Sequence, residues 1–478
     1  RCGGLRSWRR SSRRRSGDGS MSTNIQKNQI TEGIIWRQLL LFFFPILLGT
    51  FFQQLYNTID SVIVGQFVGK EALAAVGGSS AQIVAFVVGF FTGLSSGASV
   101  TIAQFFGAKD SRSANKGLHT AYAIAAFGGL ILTVSGIILT PFLLEMMNTP
   151  ADIVADSAVY LRIYFAGIIF VLIYNMGSAI LRATGDSKRP LYYLIVCCII
   201  NIVLDVLFVI VFHMGVMGVA VATLIAQAVS AVLVTLKLMR SEGILKLSVK
   251  QIRFHGSILK MQLKLGLPTG FEAILFSITN IAIQSAVNTF GTDTTAAWSA
   301  YGKLDAIFWM VSTAFGIAIT TFVGQNYGAG KMDRVRKSTR VCLLMDFIVS
   351  AVLVVFLIAA RFLLFRLFTN DSHVIEIGCD MLVLITPWYI VYVFIEVIAG
   401  ALRGVGNVVV PVAITLLGVC VLRIAWLAAM LKISPTISAI ILSYPVTWVI
   451  TALAFIIYYI YITHKTIAGS SKKHVPKL

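Results

Sequence analysis

The sequence predicts an all-α membrane protein with twelve transmembrane helices, arranged as two pseudo-symmetric lobes of six helices each. Three observations predict this fold: apolar stretches recur along nearly the whole chain, basic residues alternate between its loops, and motifs repeat at a constant offset. Of the 478 residues, 57% are hydrophobic and 12% are charged, whereas about one quarter of a typical soluble domain is charged. With a mean hydropathy of +0.86, the chain cannot form a soluble surface.

Each apolar stretch is a candidate transmembrane helix, because crossing the hydrocarbon layer takes about 20 apolar residues. The approximate spans are 37–63, 79–104, 118–141, 158–181, 191–212, 215–236, 265–289, 298–325, 341–360, 379–402, 410–431 and 438–463.

Lysine and arginine in the loops test this assignment, since cytoplasmic loops retain positive charge. The loops after spans 2, 4, 6, 8 and 10 carry nineteen basic residues, and the loops after the odd-numbered spans carry four. This asymmetry predicts an even number of spans, with both termini on the cytoplasmic side of the plasma (inner) membrane.

An internal repeat relates the two halves of the chain. Residues 104–108 (QFFGA) match 325–329 (QNYGA), and residues 182–190 (RATGDSKRP) match 403–411 (RGVGNVVVP), both at an offset of 221. Because each half holds an even number of spans, the two halves share one topology about an axis along the membrane normal. Such repeats favour substrate binding between the lobes and alternating access by rocking of the lobes.

The repeat and the loops divide the chain into four parts. Residues 21–236 form an N-lobe with spans 1–6, residues 237–264 a cytoplasmic linker, and residues 265–478 a C-lobe with spans 7–12 and a C-terminal tail. Residues 1–20 hold seven arginines before position 16 and no apolar segment. We interpret them as a non-native or mis-started basic leader rather than a signal peptide.

Several functional classes are excluded by sequence pattern. No phosphate-binding G-x-x-x-x-G-K-[ST] loop is present, so an ion gradient rather than ATP is expected to supply the energy. The six cysteines and six histidines show neither C-x-x-C nor H-E-x-x-H spacing, which predicts no metal centre and no cofactor. Because much of the net charge of +19 falls in the leader and the loops, we predict no nucleic-acid partner. We find no catalytic constellation and predict that the chain is not an enzyme.

Polar residues inside the spans need a reason, since a charge at membrane depth costs at least about 2.5 kcal/mol. Gln53, Asn57 and Asp60 share one face of span 1, and Asn201 precedes Asp205 by one turn on span 5. Burial favours the protonated form of a carboxyl, which then takes up a proton. Carboxylate, amide and hydroxyl oxygens also bind hard cations such as sodium. The pattern leaves both coupling ions open.

Several segments resemble the multidrug and toxic compound extrusion (MATE) family. They are residues 53–65 (QQLYNTIDSVIVG), 71–75 (EALAA) and 325–330 (QNYGAG), with the Leu-Arg turns at 181–182 and 402–403. The resemblance covers about residues 34–463. It implies the MATE-like arrangement of two six-helix lobes.

Within that family the chain is more similar to the DinF-like branch, whose coupling residues lie in the N-terminal lobe. This resemblance implies an acidic residue on span 1, matched by Asp60, and an Asn-x-x-x-Asp pair on span 5, matched by Asn201 and Asp205. It also implies a threonine on span 6 and an asparagine on span 4, for which Thr223 and Asn175 are the candidates.

The NorM-like branch instead places acidic residues on spans 7 and 10. This chain has Phe276 and Tyr392 near those places, while Glu272 and Glu396 lie elsewhere on their helices. The resemblance therefore implies coupling in the N-lobe.

The expected function is export of amphipathic, often cationic drugs or toxic compounds in exchange for protons or sodium. The expected partners are these small molecules and the lipid bilayer, with the protein a monomer. A lipid or lipid-linked oligosaccharide flippase is the alternative, and its cavity would need many basic residues. Away from the span ends, the basic residues inside the spans are Arg162, Lys303 and Arg423, which favours the exporter.

Two packing features are also predicted. Gly89, Gly93 and Gly97 recur every fourth residue on span 2, a pattern typical of close helix packing. In the C-lobe, Glu396 on span 10 and Arg423 on span 11 occupy positions that are uncharged at offset 221. Because an isolated charge at that depth is costly, we predict that these two residues form a structural ion pair.

Overall fold

The computed structural model describes residues 29–242 and 245–470, and their regular structure is helical. The predicted leader, residues 1–20, lies outside these residues. Twelve helices are long and apolar enough to cross a membrane, which confirms the predicted fold class and number of spans. Spans 1 to 12 are Ile35–Phe67, Lys70–Gly107, Ser111–Met146, Val154–Ala183, Lys188–Val211, Gly215–Met239, Gly256–Asn288, Thr292–Gly328, Met332–Ala359, Ser372–Gly404, Val409–Ile433 and Ile437–His464.

Four spans are irregular. Span 2 is two helices, Lys70–Gly77 and Ser79–Gly107, that meet at Gly78, and span 10 contains a 3₁₀ turn at Thr386–Trp388. Spans 5 and 11 contain π-helical turns at Val206–Val211 and Leu416–Val421. Such π turns are often found at functional sites.

The helices run further than apolar counting predicts. The linker was expected at 237–264, but span 6 continues to Met239 and span 7 already begins at Gly256. Lysine, methionine and glutamine favour helices, so the polar sequences next to the apolar core continue each helix into the water layer.

One end of the bundle, here called the basic face, carries the loops that follow the even-numbered spans; the opposite end is called the open face. Close packing of spans 2 and 7 joins the lobes in the half nearest the basic face. A side chain on Gly93 would overlap the backbone of Gly270, and one on Gly97 would overlap the backbone of Gln262 and Gly266. These contacts confirm the predicted close packing of span 2.

Toward the open face we infer a cleft between the lobes. Between the described spans, the interlobe hydrogen bonds of Gln104, Gln325 and Gln262 lie in the half nearest the basic face. Gln53 and Asn57, in the other half of span 1, are exposed. Polar side chains facing lipid there would be unfavourable, so they line water in the cleft.

Candidate functional site

Four of the five predicted coupling residues lie in the half of the N-lobe nearest the open face, and Asp60, Asp205 and Thr223 share one depth. Asp60 is seven residues from the end of span 1, Asp205 is six from the end of span 5, and Thr223 is eight from the start of span 6. At 1.5 Å per residue, all three lie about 9–12 Å from the open face. Asp205 directly precedes the π turn of span 5.

The four side chains form a compact polar cluster. The Asp60 carboxyl faces Asp205, Thr223 and Asn201, and Asn201 Nδ2 lies 3.5 Å from Thr223 Oγ1. Asp205 is 0% exposed, Asn201 1%, and Asp60 and Thr223 8% each.

Several oxygens of this cluster have no hydrogen-bond partner. They are Asp60 Oδ1, Asn201 Oδ1 and both carboxyl oxygens of Asp205. Buried polar atoms are rarely left unpaired, because each costs about 1–3 kcal/mol. Two facing carboxyls of this kind suit a proton or a cation held between them.

Sequence reasoning missed the tyrosines around the cluster. Tyr56 and Tyr160 lie close enough to Asp60 to interact electrostatically with it, and Gln227 Nε2 donates to the Tyr56 hydroxyl at 3.4 Å. The signal for Tyr56 was available, since it precedes Asp60 by one helical turn. Tyr160 comes from span 4, where no sequence pattern connects it to span 1.

Asn175 is placed apart from the cluster. It is half-buried and lies fifteen residues beyond Tyr160 on span 4. That separation corresponds to about 22 Å along the helix. Because Tyr160 is the residue of span 4 that reaches the carboxyls, Asn175 lies too deep to join them.

The residues of this cluster are not repeated at the corresponding C-lobe positions. At offset 221 Asn201 corresponds to Leu422. Asp305 on span 8 is a half-buried C-lobe acid, and its oxygens are satisfied. Trp309 Nε1 donates to Asp305 Oδ2 at 2.7 Å, and the Tyr389 and Tyr301 hydroxyls donate to Oδ1.

The predicted ion pair between Glu396 and Arg423 is wrong. Glu396 Oε1 instead accepts a hydrogen bond from Arg403 Nη2 at 3.0 Å. Arg423 donates to Thr447 Oγ1 at 2.9 Å and lies over the Tyr444 ring, 4.0 Å from its centroid. Depth explains the error: Glu396 is eight residues from the basic face and Arg423 is fourteen, about 9 Å apart along the membrane normal.

The repeated motifs of the sequence form the seam that closes the basic face. Gln104 Nε2 donates to the carbonyl of Gly404 at 2.9 Å, and Gln325 Nε2 donates to the carbonyl of Ala183 at 2.7 Å. The turns beside these carbonyls contain glycines with positive φ, +97° at Gly185 and +88° at Gly406. The repeated motifs are therefore interlobe contacts.

A second contact strengthens this seam. Arg334 on span 9 donates to the carbonyls of Gly33 and Ile30 at 2.8 and 3.0 Å, and Lys331 donates to the carbonyl of Thr31 at 2.9 Å. The segment before span 1 is thus held against the C-lobe at the basic face.

Comparison with known proteins identifies this architecture. The MatE family model matches two segments of the chain, residues 45–207 and 268–427. The chain belongs to the MatE family. This membership confirms the resemblance found in the sequence. Members of the family are transporters rather than enzymes. This MatE protein is thus an integral, multi-pass membrane protein.

Two relatives come from Bacillus subtilis. Probable multidrug resistance protein YoeA is 30% identical over 393 residues, which cover 80% of this MatE chain and 84% of that protein. Probable multidrug resistance protein YpnP is 30% identical over 394 residues, covering 82% and 88%.

A solved structure shares the fold. It is described as the outward-facing conformation of a multidrug resistance MATE family transporter of the MOP superfamily, and it superimposes with a TM-score of 0.86. The match covers 94% of this chain and 99% of that one at 21% sequence identity. At that identity the likeness establishes the MatE fold alone.

Proposed function

We propose that this MatE protein exports amphipathic, often cationic compounds in exchange for protons or sodium. The observation that carries the proposal is the pair of buried carboxyls, Asp60 and Asp205, with unpartnered oxygens beside an open cleft. The names of YoeA and YpnP as probable multidrug resistance proteins support the substrate class.

The cluster provides a mechanism for coupling. An ion shifts a conformational equilibrium only if it binds the two conformations with different affinity. A proton or sodium ion between Asp60 and Asp205 would draw spans 1 and 5 together and remove negative charge from the cleft. Binding of the ion then lowers the affinity for a cationic compound, and release of the ion restores it.

Alternating access requires that the basic face opens when the open face closes. In the conformation described, the bonds of Gln104 and Gln325 hold the basic face shut. The opposite conformation must break both bonds and separate span 2 from span 7. Repeated six-helix lobes allow this by rocking about the interface.

Location and assembly are part of the proposal. The distribution of basic loops supports insertion in the plasma (inner) membrane with both termini cytoplasmic. The cleft would then open to the outside, and one chain holds both lobes and the cluster, so a monomer suffices.

The flippase alternative has less support. Of the three basic residues that the sequence places inside the spans, Arg423 contacts Thr447 and Tyr444. The other two, Arg162 and Lys303, are exposed. Two separate cations do not form the basic lining that a pyrophosphate group would require.

The proposal is tested by efflux from proteoliposomes with proton and sodium gradients imposed separately. Asp205→Asn, which mimics a protonated carboxyl, should abolish gradient-driven efflux, and Asp60→Asn should reduce it strongly. Asp156→Asn, an exposed acid at the start of span 4, is the matched control and should transport normally. Full ion-driven transport by the Asp60→Asn, Asp205→Asn double variant would place coupling elsewhere, with Glu272 and Asp305 next to be tested.

A further inference from the structure

A cavity of about 850 Å³ lies at the open face of the C-lobe, away from the cleft cluster. It is formed by the short helix Arg361–Arg366, the first turns of span 10 and the first turn of span 12. Its polar lining consists of Arg361, Arg366, Ser372, Glu376, Asp380 and Ser438.

The charged residues of this cavity are not paired with one another. Among the described residues, no ion pair involves Arg361, Arg366, Glu376 or Asp380. Arg361 Nη1 donates to the carbonyl of Ile358 at 2.8 Å, and its guanidinium lies 4.7 Å from the centroid of the Phe362 ring. Two cationic and two anionic side chains thus line one cavity, with hydrogen-bonding groups that these contacts do not use.

The cavity lies at the depth of the lipid headgroups. Span 10 has 33 residues, about 50 Å of helix, against a hydrocarbon layer of about 30 Å. Roughly 10 Å therefore projects at each end. Glu376 and Asp380 are four and eight residues from its start, about 6 and 12 Å in, at the boundary between headgroups and hydrocarbon.

The surroundings are apolar and exposed, as expected beside lipid. On and just after the short helix, Phe362 is 52% exposed, Leu363 67% and Leu367 73%. Val383 and Leu384, one turn deeper on span 10, are also exposed. A short helix with this pattern lies in the membrane interface.

The N-lobe lacks the basic residues of this cavity. At offset 221, Arg361 corresponds to Thr140 and Arg366 to Glu145. Arg361 and Arg366 are also two of only four basic residues in the loops at the open face. The two arginines are therefore not repeated in the N-lobe, and they lie on the face whose loops otherwise carry few basic residues.

We propose that this cavity binds the headgroup of a phospholipid that carries both a phosphate and a primary ammonium group. Arg361 and Arg366 bind the phosphate, since a guanidinium matches its oxygens with paired donors. Glu376 and Asp380 accept hydrogen bonds from the ammonium group, and the acyl chains lie along the apolar surface below. The site anchors the C-lobe at one leaflet and is independent of the coupling cluster.

Native mass spectrometry of the purified full chain tests this site, using phosphatidylethanolamine, phosphatidylcholine and phosphatidylglycerol with identical acyl chains. The native protein should retain phosphatidylethanolamine in preference to the other two lipids. Arg361→Gln and Arg366→Gln should each reduce its retention about fivefold. The Glu376→Gln, Asp380→Asn variant should lose the preference over phosphatidylcholine but still retain phospholipid.

Lys432→Gln, which removes a basic residue of the same face outside the cavity, is the matched control and should behave as the native protein. Equal retention of the three lipids by the native protein would overturn the proposal, as would native retention by both arginine variants. The single variants are compared only where size-exclusion profiles match the native protein. Displacement of the lipid by an equal concentration of soluble glycerophosphoethanolamine would instead assign the cavity to small phosphate esters.

Discussion

Gln104 and Gln325 form reciprocal hydrogen bonds across the seam between the two lobes. Each amide reaches a backbone carbonyl of the opposite lobe, at Gly404 and Ala183 respectively. At offset 221 Gln104 corresponds to Gln325, and Ala183 corresponds to Gly404. The two halves of the internal repeat therefore contribute equivalent hydrogen bonds to the closed basic face.

Removal of both amides should open this seam. A net hydrogen bond contributes about 1 kcal/mol, so Gln104→Ala with Gln325→Ala should shift the conformational ratio by about thirtyfold toward an open basic face. Spin labels at positions 70 and 293, both on the open face, should then report shorter distances. Gln53→Ala in the cleft should leave the distances unchanged. A double variant with native distances would show that these bonds do not hold the seam.

The glycines beside these glutamines provide a steric test of the same seam. A methyl group on Gly107 would overlap the carbonyl oxygen of Gln325, and one on Gly328 would overlap that of Gln104. Gly107→Ala and Gly328→Ala should each prevent full closure of the basic face, so that spin labels at positions 70 and 293 report shorter distances. Gly302→Ala is the matched control, because its methyl group would meet no atom within 4 Å. If the distances between spin labels at positions 70 and 293 are the same in Gly107→Ala and Gly302→Ala, this account is contradicted.

The fold was predictable because a membrane imposes simple constraints on sequence. Helix length, apolar composition and loop charge each depend on a few neighbouring residues, so the twelve spans could be counted. Helix ends were less predictable, as Lys237 and Lys260 show, since charged residues continue a helix beyond the hydrocarbon layer.

The candidate site was predictable where residues share one helix and less so where they do not. Asn201 and Asp205 are one turn apart on span 5, so their common face follows from the sequence. The proximity of Tyr160 to Asp60, and the separation of Glu396 from Arg423, depend on how different spans align in depth. A uniform repeat offset does not give that alignment, because loops and π turns shift each helix separately.

Glu396 and Arg403 should stabilise the C-lobe as a pair. Their side chains are 20% and 17% exposed, so removing one partner leaves a largely buried charge, at a cost of about 3 kcal/mol. In thermal unfolding, Glu396→Gln or Arg403→Gln alone should destabilise the protein more than the two changes together. Asp186→Asn, which breaks the more exposed pair with Arg189, should cost about 1 kcal/mol or less. If the double variant is less stable than either single variant, the pair is not a structural unit.

Lys303 should influence which substrates are preferred. Its side chain is exposed on the half of span 8 nearest the open face, where a charge requires water and thus the cleft. At about 10 Å in water, one charge changes the binding energy of another by about 0.4 kcal/mol, or twofold. Lys303→Gln should therefore increase efflux of cationic dyes about twofold relative to neutral dyes, and Lys303→Arg should not. An equal change for cationic and neutral dyes would show that Lys303 does not face the substrate.

Membrane orientation gives the last prediction, which follows from the concentration of basic residues at one face. A cysteine introduced at Lys337, exposed near the start of span 9, should react with a membrane-impermeant maleimide only from the cytoplasmic side. A cysteine at Asp152, exposed between spans 3 and 4, should react only from outside. Lys337 is a better site than Arg334, whose side chain holds the segment before span 1. The native cysteines of the described residues are all buried, so those five should contribute little background labelling. Labelling of Lys337→Cys from outside in intact cells would reverse the orientation, and the cleft described here would then open to the cytoplasm.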